Sequence, residues 1–478
     1  MSRKGLKLVT VATIVSLLAA CSANNSSPSP TANPSNPSAN TGTGEQNESA
    51  AKGLTGELEI AAFVAGDTRE QWWNTVIDDF KQDNPDLKVT AILSGVIGDE
   101  IRPRWIKNDP PDVTYLGGES STKDIQQLTS DRKFEKLDEW LKEAKSYEDP
   151  DKLLVDVLSV ANRAYDPDGD VIGLPFSTGA YGIFYDAKLA RDKGWTDLPT
   201  NWDDFIAFLD MIEASGEKIA PINYPGQNAL GYLTNYMFYD VARQDPNAYL
   251  DGVNIVDGAW LNPLYLESFN KLQSLRKYEL AGSLGATHTE AQIAFLQRKS
   301  FFYPTGTWLE GEMANDVPED FEMQVIPFPI NGKGEKSITQ TYASTDLYIP
   351  VEAKNKDNAK EFIRYMYQEK YAKLYAELVM ENFAMNVDLT GVQTAPSVIS
   401  YSKMLLDPNL TVFQTNIGRN PTVYVDLNNI FFDELNKAWA GKQTGEQLFA
   451  NMDKEASKYK SKEGFEPIED RFLVEPSK

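Results

Sequence analysis

The sequence predicts an α/β fold, laid down twice. Strand, polar loop and helix alternate from Gly56 to about residue 180. A second alternation starts at Asn201, and no segment recurs at a fixed period, which argues against solenoids and propellers. The first alternation implies a largely parallel sheet, and in open sheets of this kind ligands lie beyond the carboxyl ends of the strands; the second implies a further α/β unit.

The chain opens on a segment suited to export. Arg3, Lys4 and Lys7 precede an apolar run from Leu8 to Ala20. At about 1.5 Å per residue this run is too short for a ~30 Å hydrocarbon core, so residues 1–20 read as a signal peptide. The stretch "LLAAC" resembles the lipobox of bacterial lipoproteins, which implies cleavage before Cys21 and a lipid on its sulfur. A membrane helix ending beside an incidental cysteine is the alternative. Cys21 is the only cysteine, so no internal disulfide can form. Residues 21–54 are expected to form a flexible tether, because the Ser, Asn, Pro and Gly that dominate residues 22–44 cannot offset the entropy of ordering.

Gly56 to Val64 ("GELEIAAFV") alternates and then runs apolar, as a buried strand does, and stops at Gly66-Asp67-Thr68. In the helix that follows, Trp73, Val76, Ile77 and Phe80 share one face. "DLKVTAIL" is a second strand, and "PPDVTYLGG" a third that ends at Gly117 and Gly118. Asp67 and Glu119 therefore lie in loops at strand ends. In the second alternation Asn201 or Thr200 caps the helix "NWDDFIAFLDMIEASG" and Gly216 closes it. "EKIAPINYPG" gives a strand and turn. The segment from Leu261 to Tyr278 and "TEAQIAFLQRKS" are amphipathic and lead into "FFYPTGTW" and later "FEMQVIPFPI".

Charge excludes two classes of partner. The chain carries 46 Lys plus Arg against 70 Asp plus Glu, a net charge of −24, and loses three more cations with its leader. No dense basic run exists to hold nucleic acid or anionic lipid. The 22 Tyr, 22 Phe and 9 Trp supply flat amphipathic surface of the kind a carbohydrate cleft uses, and they also fill large cores. With His288 the only histidine, there is no Ser-His-Asp triad, no H-E-x-x-H and no multi-histidine metal site. No phosphate loop occurs, and no cofactor is called for. His288 itself is expected to cap a helix or face solvent. A carboxylate pair in an aromatic cleft is also how glycoside hydrolases work, so a secreted hydrolase is the competing class. A structural or adhesive lipoprotein would show repeats or a sandwich rhythm of strands, which are missing.

Four blocks, in order, carry a resemblance to a known family. They are "GLPFSTGAYGIFYDAKLARDKGWTDLPTNWDDFIAFLDMIEASG", "AFLQRKSFFYPTGTWLEGEM", "ASTDLYIPVEAKNKDNAKEFIRYM" and "AWAGKQTGEQLFANMDKEA". Together they resemble the family 1 extracellular solute-binding proteins, the carbohydrate receptors of bacterial importers of the ATP-binding-cassette type. The resemblance implies a two-lobed periplasmic-binding-protein-like fold with hinge strands and a central ligand cleft. It implies an oligosaccharide ligand, a membrane permease as partner, a lipid anchor at the extracellular membrane face, and a monomer. The lobes would be 55–178 plus 341–382 and 179–340 plus 383–478. Crossings between them are expected near Ser177 to Tyr181, in Asn331 to Gln340 and near Met380 to Met385. The block "GDEIRPRWIKNDPPDVTYLGG" is similar to the branch that receives N-acetylglucosamine and its β-linked disaccharide.

Within that resemblance Trp308, in "PTGTW", stands where the family presents an aromatic ring to a pyranose; the alternative is a core tryptophan. Asp67, Glu119 and Asp346 offer paired lone pairs to vicinal hydroxyls, or are surface carboxylates. Tyr181, Asn223, Tyr224, Trp260 and Arg419 are further candidates, each equally a packing or surface residue. Where many relatives carry a Gly pair before the return strand, this chain has "ASTDLYI", which puts the side chains of Ser344 and Asp346 at the site. "YDPDGD" (Tyr165 to Asp170) has oxygen ligands for Ca²⁺ without the full twelve-residue pattern, and reads equally as a surface turn.

Overall fold

Trp72 and Trp73 are adjacent on one helix, yet both are fully buried. The helix Asp67–Asp83 achieves this by lying between a sheet and a later helix. Trp72 Nε1 donates to the Tyr371 carbonyl at 2.9 Å, within the helix Glu369–Val379. Trp73 stacks flat on Phe176 with ring centroids 5.3 Å apart. The apolar face read from the sequence is present and is widened by Trp72. The computed structural model describes residues 53–474 apart from 65, 118, 160–162, 167, 228, 344–345, 414–420 and 461–472. Residues 1–52, Cys21 included, thus lie outside the described residues.

The strands, in chain order, are β1 (Gly56–Phe63), β2 (Leu87–Ser94), β3 (Val113–Tyr115), β4 (Ala164–Tyr165), β5 (Val171–Pro175), β6 (Ser177–Asp186), β7 (Ala220–Ile222), β8 (Ser300–Gly306), β9 (Met323–Ile326), β10 (Ser337–Ala343), β11 (Asp346–Tyr348), β12 (Asn382–Phe383), β13 (Leu410–Phe413) and β14 (Leu473–Val474). They form two sheets. The first runs β2-β1-β3-β11-β5-β4, with β1, β2 and β3 parallel and β11 antiparallel to both its neighbours. The second runs β14-β13-β10-β6-β8-β7, and β9 and β12 also pair with β6.

Each sheet has its own core, which makes the molecule two α/β lobes. Leu58, Ile60, Trp72, Phe176, Phe362 and Tyr375 belong to the first core. Phe205, Tyr236, Phe302, Phe328, Phe431 and Trp439 belong to the second. The helix Trp202–Ala214 feeds the second core with Phe205, Phe208, Leu209 and Ile212, and Asn201 caps it as expected, accepting the Asp204 N–H at 3.1 Å.

The chain changes sheets between β5 and β6, across Phe176, and returns between Ala343 and Asp346. This second passage lies beyond the expected Asn331 to Gln340 segment. The reason is the register of β10, whose Ser337 to Gln340 pair with β13 and whose Thr341 to Ala343 pair with β6, all in the second sheet. After the helix Glu369–Val379, β12 brings the chain back onto the start of β6, where Asn382 pairs with Thr178. The helix Pro396–Leu405 then serves both lobes, with Val398 in the first core and Tyr401 in a cluster under the second sheet.

Candidate functional site

A wall of rings stands where β6 emerges from the first crossing. In the register of β6 against β8, Tyr181 pairs with Gly306. A Cβ on Gly306 would lie 2.0 Å from Trp308 Cζ3, so the bare Cα is what allows the indole to fold back over the strand end. Thr307 fixes the turn, its N–H donating to the Ala180 carbonyl at 3.0 Å and its hydroxyl accepting the Ala180 N–H at 3.2 Å. Trp308 is left half-buried. Its ring meets Tyr181 edge-on at 5.3 Å and Tyr232, from the helix Gly231–Thr234, also at 5.3 Å. Tyr232 in turn contacts His288 at 5.3 Å.

Polar groups gather at the foot of this wall. His288 Nε2 lies 3.2 Å from Glu312 Oε2, and Gln292 Nε2 donates to the same oxygen at 2.8 Å. Glu312 keeps a side-chain exposure of 45%, which leaves its carboxylate free to meet a ligand as well. Burial pushes the Tyr181 phenol up to about 12, and burial followed by the charge of Glu312 raises that of Tyr232. Both hydroxyls therefore stay protonated and able to donate across the physiological range. The arrangement offers flat apolar faces, a carboxylate acceptor and phenolic donors. It offers no activated nucleophile.

On the same short turn, Glu310 Oε2 accepts the Ser397 N–H at 3.1 Å, at the first turn of the helix Pro396–Leu405 that serves both lobes. Tyr401 on that helix shares a 2.9 Å hydrogen bond with Thr178 Oγ1. The ring wall is thus tied to the crossing.

The candidates read from the sequence fall into three groups. The structure brings Trp308 and Tyr181 together. It places Asn223, Tyr224 and Trp260 in the second lobe's interior, where packing and hydrogen bonds already engage them. Asn223 donates to the Ala291 carbonyl at 2.8 Å and accepts from Ser283 Oγ at 2.8 Å. Tyr224 donates to Glu279 and accepts from Trp439 Nε1 at 3.1 Å. Trp260 packs on Tyr265 and Phe431. Asp67 is exposed at the start of its helix, while Asp346 is half-buried at the second crossing. The side chain of Glu119, and Ser344 and Arg419, lie outside the described residues. Tyr232, Gln292 and Glu312 were not read from the sequence, and His288, expected to cap a helix or face solvent, instead supports the wall from a half-buried position while Thr287 caps the helix. Only Glu312, four residues after Trp308 in "WLEGE", left a signal that could have been followed.

The acidic turn after Tyr165 carries its own cations. Lys136 Nζ lies 3.4 Å from Asp166, 3.6 Å from Asp168 and 2.5 Å from Asp170, and Arg132 pairs with Asp168 at 2.9 Å.

Residues 65–373, which span both crossings just described, Trp308 and Glu312, match the family described as bacterial extracellular solute-binding protein. The chain belongs to that family. This solute-binding protein is accordingly a receptor and not an enzyme, which sets the hydrolase alternative aside. It is 23% identical over 397 residues to the diacetylchitobiose binding protein NgcE of Streptomyces coelicolor, a match covering 80% of each chain. Among solved structures it resembles the apo form of RafE from Streptococcus pneumoniae, with a TM-score of 0.62, 18% identity and coverage of 86% of this chain and 100% of the other. It also resembles a chitin oligosaccharide binding protein, with a TM-score of 0.56, 21% identity and coverage of 85% and 100%. These likenesses establish the two-lobed fold of the solute-binding protein. No helix among the described residues is long and apolar enough to cross a membrane.

Proposed function

We propose that this solute-binding protein is the sugar receptor of an ATP-binding-cassette importer and that its ligand is an oligosaccharide of the β-linked N-acetylglucosamine series. The observation that carries the reading is the Tyr181–Trp308–Tyr232 wall with Glu312 at its foot. A pyranose has an apolar C–H face for the indole and hydroxyl edges for the carboxylate and phenols. The names of NgcE and of the chitin oligosaccharide binding protein support the choice of sugar. Asp346 and Asp67, on the first lobe, would supply further acceptors. Ligand held by both lobes only when they close shifts the population toward the closed form, and a permease can read that change of shape. Cys21 would carry more than one acyl chain, enough to hold the monomeric receptor at the extracellular face of the cell membrane.

Calorimetric titration with N-acetylglucosamine, its β-linked dimer and trimer, and raffinose tests the reading. A dissociation constant of about 1 μM, or roughly −8 kcal/mol, is expected for the preferred N-acetylglucosamine oligomer, with the sugar recovered intact afterwards. Indifference to all four sugars, or release of monosaccharide, would overturn it.

A further inference from the structure

Three polar atoms meet in a closed triangle at the foot of the ring wall. Gln292 Nε2 lies 2.9 Å from His288 Nε2 and 2.8 Å from Glu312 Oε2, and the imidazole nitrogen is 3.2 Å from that same oxygen. Such a triangle cannot match a donor to an acceptor along all three sides. With Nε2 bare, the amide donates to both neighbours and the nitrogen lone pair faces the carboxylate. With a proton on Nε2, the imidazole donates to Glu312 and its N–H faces the amide hydrogens. Turning the amide only moves the mismatch, because Oε1 would then face the carboxylate. The proton state of His288 therefore decides which pair repels.

Gln292 has no room to yield, since its side chain is buried and its Oε1 is buried without a hydrogen-bond partner. Glu312 can yield, being half-exposed on the short helix Leu309–Glu312. The rest of the imidazole is held: Nδ1 lies 3.4 Å from the Tyr303 hydroxyl, and the Tyr232 ring packs at 5.3 Å. Burial pushes up the Tyr303 and Tyr232 phenols, so both stay uncharged between pH 5 and 8, where histidines change charge. Glu290, on the same helix as His288, is engaged by the N–H and hydroxyl of Thr287. Glu312 is thus the charged group that faces His288, and among the described residues no lysine or arginine pairs with it.

We propose that His288 is the positioning residue of Glu312 and makes sugar binding proton-linked. Neutral His288 repels the carboxylate outward, toward the hydroxyls of a sugar stacked at Trp308. Protonated His288 donates to Glu312 Oε2 and draws the carboxylate back to the wall, in a charge-assisted hydrogen bond that the sugar must displace. The inference rests on the sugar-receptor reading and adds control of affinity by pH. Linkage makes the effect reciprocal: protonation weakens the sugar, and the sugar expels the proton from Nε2 to solvent.

His288 is the only histidine, so a single set of ring signals reports its charge. The test uses whichever of N-acetylglucosamine, its β-linked dimer and trimer, and raffinose binds most tightly. Proton NMR of the wild type from pH 5 to pH 8 should show the midpoint of His288 titration about one pH unit lower with sugar bound. Calorimetry should find affinity about tenfold weaker at pH 5 than at pH 8, the equivalent of that shift, with protons released to the buffer near the midpoint. Asp346 also titrates in this interval. His288→Gln should therefore flatten the pH dependence to the part that Asp346→Asn removes. Should His288→Gln lose its cooperative melting transition, the wild-type midpoint and proton release decide alone. A midpoint unmoved or raised by sugar, or a pH dependence unchanged in His288→Gln, would overturn the proposal and leave the receptor reading intact. A wild type that binds none of the four sugars at either pH would overturn both.

Discussion

The carboxylate of Glu310 accepts the backbone N–H of Ser397 at 3.1 Å, and so caps from outside a helix that begins with Pro396 and has no cap of its own. Glu310 sits two residues from Trp308, on the same short turn. Glu310→Ala should therefore cost about 1 kcal/mol of stability, as loss of a helix cap does. It should also weaken sugar binding, because the turn that presents the indole loses its tie to the helix serving both lobes. Burial raises the pKa of Glu310, so its contribution is fullest at low pH, while it is protonated, and declines as pH rises through the raised value. Glu310→Gln keeps an acceptor without the buried charge. Melting curves at pH 5 and pH 8 should show Glu310→Gln at least as stable as wild type at the higher pH, with Glu310→Ala below both.

Trp308→Ala should reduce sugar affinity at least about tenfold, near 1.4 kcal/mol, with little change in melting temperature, since the ring is only half-buried and rests on the wall. Titration calorimetry beside thermal melting checks this. A large loss of stability with affinity retained would make Trp308 a packing residue.

Gly306→Ala drives a methyl into the Trp308 ring at 2.0 Å, so the indole must swing off the strand end. The variant should lose affinity about as much as Trp308→Ala. The double variant should be no weaker than Trp308→Ala alone, because both changes act on one ring. Additive losses in that cycle would show that Gly306 acts elsewhere.

The fold was legible where periodicity was strong. Trp73, Val76, Ile77 and Phe80 on one face, and Asn201 before "WDDF", gave their helices because burial and capping are local in sequence. The second crossing was misplaced because Gly332 and Gly334 mark a turn as readily as a hinge, and only the pairing of β10 with β13 decides. The place of Trp308 just beyond the strand Ser300–Gly306 was legible from a motif. Tyr232, Gln292 and His288 were not, since they join the wall through tertiary packing that leaves no spacing in the chain. Asn223, Tyr224 and Trp260 looked like ligand groups by residue type, yet Asn223 and Tyr224 have their hydrogen bonds met and Trp260 is packed into the core. Polar side chains that knit a large interior cannot be told from a site by composition.

Asp346 opens β11 at the second crossing, with its Oδ1 buried and without a partner among the described residues. Burial pushes its carboxyl up to about 7, against the 3.8 of an ordinary aspartate, while the Tyr348 hydroxyl 3.5 Å away works weakly the other way. The folded value exceeds the unfolded one, so the group favours the fold below about pH 4, where it is protonated in both states. That contribution is lost as pH rises from about 4 to about 7, when folding must hold a charge with no cation beside it among the described residues. Asp346→Asn removes the charge and keeps the shape. Thermal melting should find the variant equal to wild type at pH 4 and a few degrees more stable above pH 7, the gap opening across the interval between. A gap that is constant with pH would mean that Asp346 is solvated at the crossing. If Asp346 also accepts a sugar hydroxyl, the same variant should bind more weakly at pH 8 while gaining stability, and calorimetry at that pH separates the two effects.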